Sequence, residues 1–187
     1  MKIVIGLGNP TKKHSLDRHN VGFMALDYFA DKHSLSFENK STFEALVAMD
    51  SDMLLAKPQT YMNDSGLSAQ KLFKQYREMP IVVYDDIDIN LGEVKCSMAR
   101  GAGGHNGVQS IIDHLGTKDF FRIRIGVRPV HEELKSHILP PDGFQNFLLK
   151  PFAPFEKELK EEGIKKAVAI IEALKTKTFG EIMTEFN

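Results

Sequence analysis

Cys96 is the only cysteine among 187 residues, which excludes an internal disulfide and a cysteine-built zinc cluster. In Val94-Lys95-Cys96-Ser97-Met98 the alternation sets Cys96 with Val94 and Met98 on an apolar face, so it reads as a small buried hydrophobe and not as a nucleophile. No apolar run approaches the roughly 20 residues of a membrane span, and the N-terminus lacks the charged and apolar regions of a signal peptide. The expectation is a soluble, cytoplasmic chain. Neither sign of charge dominates: 24 basic and 25 acidic residues leave a net charge of −1. That balance neither announces nor excludes a nucleic-acid partner, because phosphate affinity follows a local basic patch. Gly6, Gly8 and Thr11 lack the third glycine of G-x-G-x-x-G, and Pro10 interrupts the turn, which argues against a dinucleotide fold. G-x-S-x-G and H-E-x-x-H are absent as well.

What is present alternates strand with helix, without an internal repeat or a low-complexity tract. With 42% hydrophobic residues, the length suits one α/β domain over 1–187, a twisted, mostly parallel mixed β-sheet flanked by helices. Strands are expected at Lys2 to Ile5, Thr42 to Met49, Met53 to Lys57, Pro80 to Tyr84, Gly92 to Met98 and Phe121 to Arg128. The run Ile81-Val82-Val83-Tyr84 reads as a central strand buried on both faces, ending in the acids Asp85, Asp86 and Asp88. Helices are expected from an Asn20 cap to Lys32, from Asp64 or Ser65 to Arg77, and from Gly107 to Leu115 with Gly116 closing it. Leu67, Leu72 and Phe73 are the core candidates of the second. The C-terminal part is expected to be helical over Phe144 to Leu149, Pro154 to Leu174 and a turn or two after Thr178, with an irregular surface excursion before it. In Phe121 to Arg128, Ile123, Ile125 and Val127 share one face, and Arg122, Arg124 and Arg128 the other. A solvated strand face and a contact surface are equal readings of those arginines.

The chain is organised around Ile3 to Phe23, where a buried strand breaks at Gly6 and Gly8 and then presents Asn9, Arg18, His19 and Asn20. In an open α/β sheet, ligands bind outside the carboxyl ends of the strands. Taken alone, Asn9 before Pro10 reads as a turn former. If the sheet is mainly parallel, however, Asn9, His19, Asn63, Asp85 and Asn106 all reach one edge. A histidine partnered by an aspartate can serve as a general base, and asparagine amides can grip a peptide-like group. With no nucleophile in evidence, water is the expected attacking group.

The segments GLGNP, RHNVGF, KPQTYMNDSG, VVYDDIDINLG, GAGGHNGVQSI and FRIRIGVRP, in that order, resemble the motifs of bacterial peptidyl-tRNA hydrolase. The likeness runs from about residue 3 to 129 and continues more weakly through FQNFLLKPF and the terminal helices. It implies an esterase that cleaves peptide from the terminal ribose of peptidyl-tRNA, with no cofactor, no metal, no membrane and no obligate protein partner, acting as a monomer. By position, the resemblance makes His19 the base that activates water and Asp85 its orienting partner. Asn9 and Asn63 would hold the peptide main chain, Asn106 would position substrate or water, and His105 would stand nearby. Tyr61 and Met62 would line the peptide channel or pack beneath it. Lys95 and Arg124 would clamp a tRNA phosphate, with Arg100, His14, Lys12 or Lys13 in support, since Ser97 stands where a second basic residue is often found.

Thr11, His14 and Asp17 depart from the family pattern in the first loop. The arginine of IGVRP lacks the glycine that commonly precedes it, and Val130 to Asp142 is longer than usual. Two other classes compete. A metal-dependent hydrolase would use His19, His105, Asp85 and Asp86 as ligands. A catalytically silent RNA-binding module would keep the fold and lose nothing on replacement of His19.

Overall fold

The apolar run Ile3-Val4-Ile5 is fully buried and forms the middle of β1 (Lys2–Gly6) in the computed structural model, which describes residues 1–129 and 143–187. The other elements, in chain order, are α1 (Val21–Lys32), β2 (Glu38–Lys40), β3 (Ala45–Met49), β4 (Met53–Pro58), α2 (Ser65–Tyr76) and β5 (Ile81–Asn90). They continue with β6 (Val94–Ser97), α3 (Asn106–Leu115), β7 (Arg122–Arg128), α4 (Gly143–Leu148), α5 (Lys157–Ala173) and α6 (Phe179–Phe186). Among the described residues, seven strands make one mixed sheet in the order β2-β3-β4-β1-β5-β7-β6. β1 runs parallel to both β4 and β5, and β5 runs parallel to β7. The edge strands β2 and β6 pair antiparallel with β3 and β7, and β3 pairs antiparallel with β4.

Each face of the sheet carries its own core. On one, α1 and α5 pack through Ala25, Leu26, Phe29, Ile164, Val168 and Ile171. On the other, α2 and α3 pack through Ala69, Leu72, Val108 and Ile111. From β1 the chain crosses toward β4 on one side, and from β5 it moves toward β7 on the other. The loops after β1 and β5 therefore diverge, which opens a crevice at the carboxyl ends of these two strands. Gly22 lets the first turn of α1 press on that point, since a Cβ there would lie 2.4 Å from the Val83 carbonyl and 2.6 Å from the Leu7 nitrogen.

Several expectations need correction. β5 does not stop at Tyr84 but continues through the acids to Asn90. The acids are tolerated in the strand because Arg124 pairs with Asp86 and Arg128 with Asp88 across the ladder. Ser41–Phe43 is a 3₁₀ turn, followed by Glu44 at φ 50°, so β3 starts only at Ala45. β2 is wholly exposed and has no apolar alternation to betray it. Met98 is exposed and not on the apolar face, whereas Cys96 is buried as expected, and burial pushes its thiol up to about 12. The excursion at 130–142, with His131 and His137, lies outside the described residues.

The packing of α2 also differs. Leu67 is 37% exposed, and the buried positions are Ser65, Gly66, Ser68, Ala69 and Leu72. Small residues let α2 approach α3 closely, and the Gly66 amide donates to Ser110 Oγ at 3.0 Å. A Cβ at Gly66 would lie 2.1 Å from the Ser110 carbonyl oxygen. Gly66→Ala is therefore expected to cost about 1–3 kcal/mol as overpacking. A thermal melt should show a loss of about 2–4 °C per kcal/mol for a chain of this size.

Candidate active site

His19 is presented by a 3₁₀ turn, Arg18–Asn20, wedged between β1 and α1. Its Nδ1 lies 2.8 Å from Asp85 Oδ1, where β5 passes the mouth of the crevice. The Asp85 side chain is 1% exposed and that of His19 is 13% exposed. The same carboxylate oxygen meets His105 Nε2 at 3.1 Å, and the two imidazole rings are 4.9 Å apart between centroids. His105 occupies the N-cap of α3, where its Nδ1 accepts from the Val108 amide at 3.3 Å. That bond requires a bare Nδ1, so the neutral ring carries its proton on Nε2 and donates it to Asp85. His19 likewise donates Nδ1–H to Asp85, which leaves its Nε2 free as an acceptor.

Charge follows from this arrangement. Burial disfavours ionised Asp85, but the charges of His19 and His105 and their hydrogen bonds outweigh it and hold the carboxyl well below its usual range. Burial also works against a charged His19. The Asp85 carboxylate, by charge and hydrogen bond, and Asp17 to a smaller degree, carry its pKa above the ordinary 6.5.

The three side chains put ligand-type atoms within 4.8 Å of one another. A neutral imidazole bound to a metal through Nε2 keeps its proton on Nδ1. The Val108 amide occupies that position on His105, so the set suits two N–H donors on a carboxylate better than a metal ion. Asp86, the fourth ligand of the metal reading, is turned away and accepts from Arg124 Nε at 2.8 Å.

Asn9 is buried and held on both sides. Its amide donates to Asn20 Oδ1 at 2.9 Å, its carbonyl accepts from Asn20 Nδ2 at 2.9 Å, and its Oδ1 accepts from the Met62 amide at 3.0 Å. The Nδ2 of Asn9 is left as a donor without a hydrogen-bond partner among the described residues. Asn20 is thus a clasp on Asn9 and not the side-chain cap of α1. Asn63, in the 3₁₀ turn Met62–Asp64, and Asn106, the first residue of α3, are exposed. Met62 packs beneath, against Gly107, while Tyr61 is 60% exposed.

The basic residues fall into two groups. Lys95 is exposed on β6 and lies opposite Arg124 on β7. Arg124 itself is buried against Asp86, with Nη2 at 2.7 Å. Of these arginines Arg128 is exposed at the end of β7, so the solvated face holds there alone, whereas Arg122 is 0% exposed. Its guanidinium donates to the carbonyls of Arg100 and Gly101 and so supports the glycine-rich loop that leads to His105. Arg100, Lys12 and Lys13 are exposed, whereas His14 Nδ1 is engaged with Asp17 Oδ2 at 2.6 Å.

A family profile described as peptidyl-tRNA hydrolase matches residues 3–187. The chain belongs to the peptidyl-tRNA hydrolase family. It is 37% identical over 190 residues to a peptidyl-tRNA hydrolase of Aliarcobacter butzleri, covering 100% of this chain and 99% of that one. It is 39% identical over 199 residues to that of Enterococcus faecalis, with the same coverage of both. The crystal structure of the Acinetobacter baumannii peptidyl-tRNA hydrolase superposes with a TM-score of 0.86 at 28% identity, covering 100% of this chain and 94% of that chain. Within this family member, the residues missed from the sequence are Asn20, hidden by its suitability as a helix cap, and His105 as a direct partner of Asp85. The repetition of His-Asn at 19–20 and 105–106 was the available signal for the second histidine.

Proposed function

We propose that the chain hydrolyses the ester between a peptide's C-terminal carbonyl and the terminal ribose of tRNA, with water activated by His19 and no covalent intermediate. The observation that carries this reading is the His19 Nδ1 to Asp85 Oδ1 hydrogen bond of 2.8 Å at the crevice between β1 and β5. With its proton on Nδ1, neutral His19 takes a proton from water at Nε2 while the water oxygen bonds to the ester carbonyl carbon. The imidazolium that forms faces a buried carboxylate already held ionised by two imidazole N–H groups. When the carbonyl re-forms, the C–O bond to ribose breaks and the proton on Nε2 passes to the ribose oxygen. Asn9 Nδ2, with the exposed amides of Asn63 and Asn106, supplies donors for peptide carbonyls at the same mouth.

On the RNA side, Lys95 is the basic residue exposed toward solvent, and Arg100, Lys12 and Lys13 are further exposed cations for phosphate. Arg124 reaches a phosphate only by sharing or leaving Asp86. His14, tied to Asp17, is a weaker candidate than its position in the loop suggested. The reading sets the enzyme among the recycling steps of translation, in the cytoplasm.

The test compares hydrolysis of N-acylated and free aminoacyl-tRNA across pH, under conditions where chemistry limits the rate. The N-acylated substrate alone should be cleaved efficiently. Because the base must be neutral and its pKa is displaced above 6.5, the rate should fall as pH drops through a value above 6.5. A flat profile through that range, or equal cleavage of both substrates, would sink the assignment.

A further inference from the structure

The turn that carries His19 is gripped at three successive residues, each by a different part of the chain. His19 reaches β5, Asn20 reaches Asn9, and Arg18 reaches the stretch between α4 and α5. The last of these spans 138 residues, and the chemistry above makes no use of it. Arg18 is buried. Its Nη2 donates to Glu156 Oε2 at 2.5 Å, and its Nη1 donates to the carbonyls of Pro151 and Lys150 at 2.5 and 3.2 Å. The guanidinium lies 4.2 Å from the Phe147 ring centroid and 5.0 Å from that of Phe152. The backbone joins in: the Arg18 amide donates to the Lys150 carbonyl at 3.1 Å, and Asp17 bridges Pro151 in antiparallel fashion. Glu156, also buried, accepts from the Ala153 amide at 2.6 Å and so fixes the 3₁₀ turn Pro154–Glu156 at the head of α5.

We propose that Arg18 and Glu156 form a positioning pair for catalysis: Glu156, acting through Arg18, sets the turn so that His19 meets Asp85, and it cancels the positive charge on the residue next to His19. The proposal rests on the reading of His19 as the base. An apolar side chain between Phe147 and Phe152 would fill this place without the desolvation that a buried ion pair requires. Arginine adds direction: its rigid fork engages one carboxylate and two carbonyls at once, which defines the orientation of the turn and its register on Lys150 and Pro151. Arg18 and His19 are neighbours in the chain, so a rotation that loosens one moves the other. A displacement of about 1 Å at a reacting group costs on the order of 10²-fold in rate.

The titratable groups around His19 are Asp85 from β5, His105 from the start of α3, and Asp17 from its own turn, with His14 bonded to Asp17. Arg18 is the permanent cation next in the chain, and Glu156 neutralises it. Glu156→Gln keeps the shape and an acceptor for Ala153 but leaves that cation uncancelled. The expected result is a kcat lower by about 10-fold with KM within about 2-fold. The acid limb of the kcat/KM profile should also move to lower pH, because a nearby positive charge disfavours the imidazolium. Wild-type kcat and an unmoved acid limb, with only a lowered melting temperature, would overturn the proposal and leave the pair a brace of the fold.

Should Glu156→Gln fail to fold, the paired replacement Arg18→Leu with Glu156→Leu removes both charges together and is expected to fold. Its kcat should remain low. Wild-type kcat in that double variant overturns the proposal as well. His19→Ala, measured alongside, separates the two failures. Full activity there refutes the base itself, whereas an inactive His19→Ala beside a fully active Glu156→Gln counts against the pair alone.

Discussion

Replacing His19 by alanine is expected to lower hydrolysis of N-acylated aminoacyl-tRNA by about 10²–10⁴-fold, the range that a positioned general base contributes. The loss should fall on kcat, because His19 is asked to act on water in the transition state and not to hold the substrate. Binding of deacylated tRNA should be unchanged, since no exposed cation is removed. The acid limb expected above 6.5 for the native enzyme should vanish in the residual activity. Folding should survive: His19 is partly exposed at the crevice, and its removal leaves Asp85 one imidazole donor, His105 Nε2 at 3.1 Å. A variant that binds tRNA as before and turns over at the native rate would favour the silent-module reading or another base. Single-turnover rates with saturating enzyme separate these outcomes from a defect in binding.

The parts of this site that sequence made legible are those written locally. β1 was readable because three apolar β-branched residues end at two glycines, and the polar residues after such a strand had no packing role to explain them. α3 was readable because Gly116 closes it in the left-handed region and its apolar spacing is regular. What could not be read was a choice among partners distant in sequence. Asn20 has the chemistry of a helix cap and stands where a cap belongs, yet its amide bonds Asn9 eleven residues back. Arg122 and Arg124 alternate with isoleucines as solvated residues would. They are buried because loop carbonyls at 100 and 101, and a carboxylate on β5, come to meet them. Leu67 looked like core because helix periodicity cannot show that small residues elsewhere on α2 set a closer approach to α3. His105 shares Asp85 with His19 only because the start of α3 lies beside the middle of β5, a relation between elements that no window of sequence contains.

The shared carboxylate gives the site a dependence on Asp85 that exceeds its role toward either histidine alone. In Asp85→Asn the amide keeps the size of the carboxylate but loses the charge, and its single acceptor oxygen faces two imidazole N–H donors now held at 2.8 and 3.1 Å. An Nδ2 donor turned toward His19 would instead select the tautomer protonated on Nε2, which cannot take a proton from water there. The expected loss in kcat is on the order of 10⁴-fold, as when the orienting aspartate of a catalytic histidine is neutralised. Stability supplies an independent check. His19 has a folded pKa above 6.5, so its contribution is complete below 6.5 and is lost as pH rises through the folded value. Asp85 has a folded pKa below 3.8, so its contribution is present above 3.8 and is lost as pH falls through the folded value. The melting temperature of the native enzyme should therefore exceed that of Asp85→Asn most between these limits, and the gap should narrow as pH rises past the His19 titration. A gap that stays constant across that range would mean that His19 and Asp85 are not coupled, and the hydrogen bond between them would lose its claim to set the base.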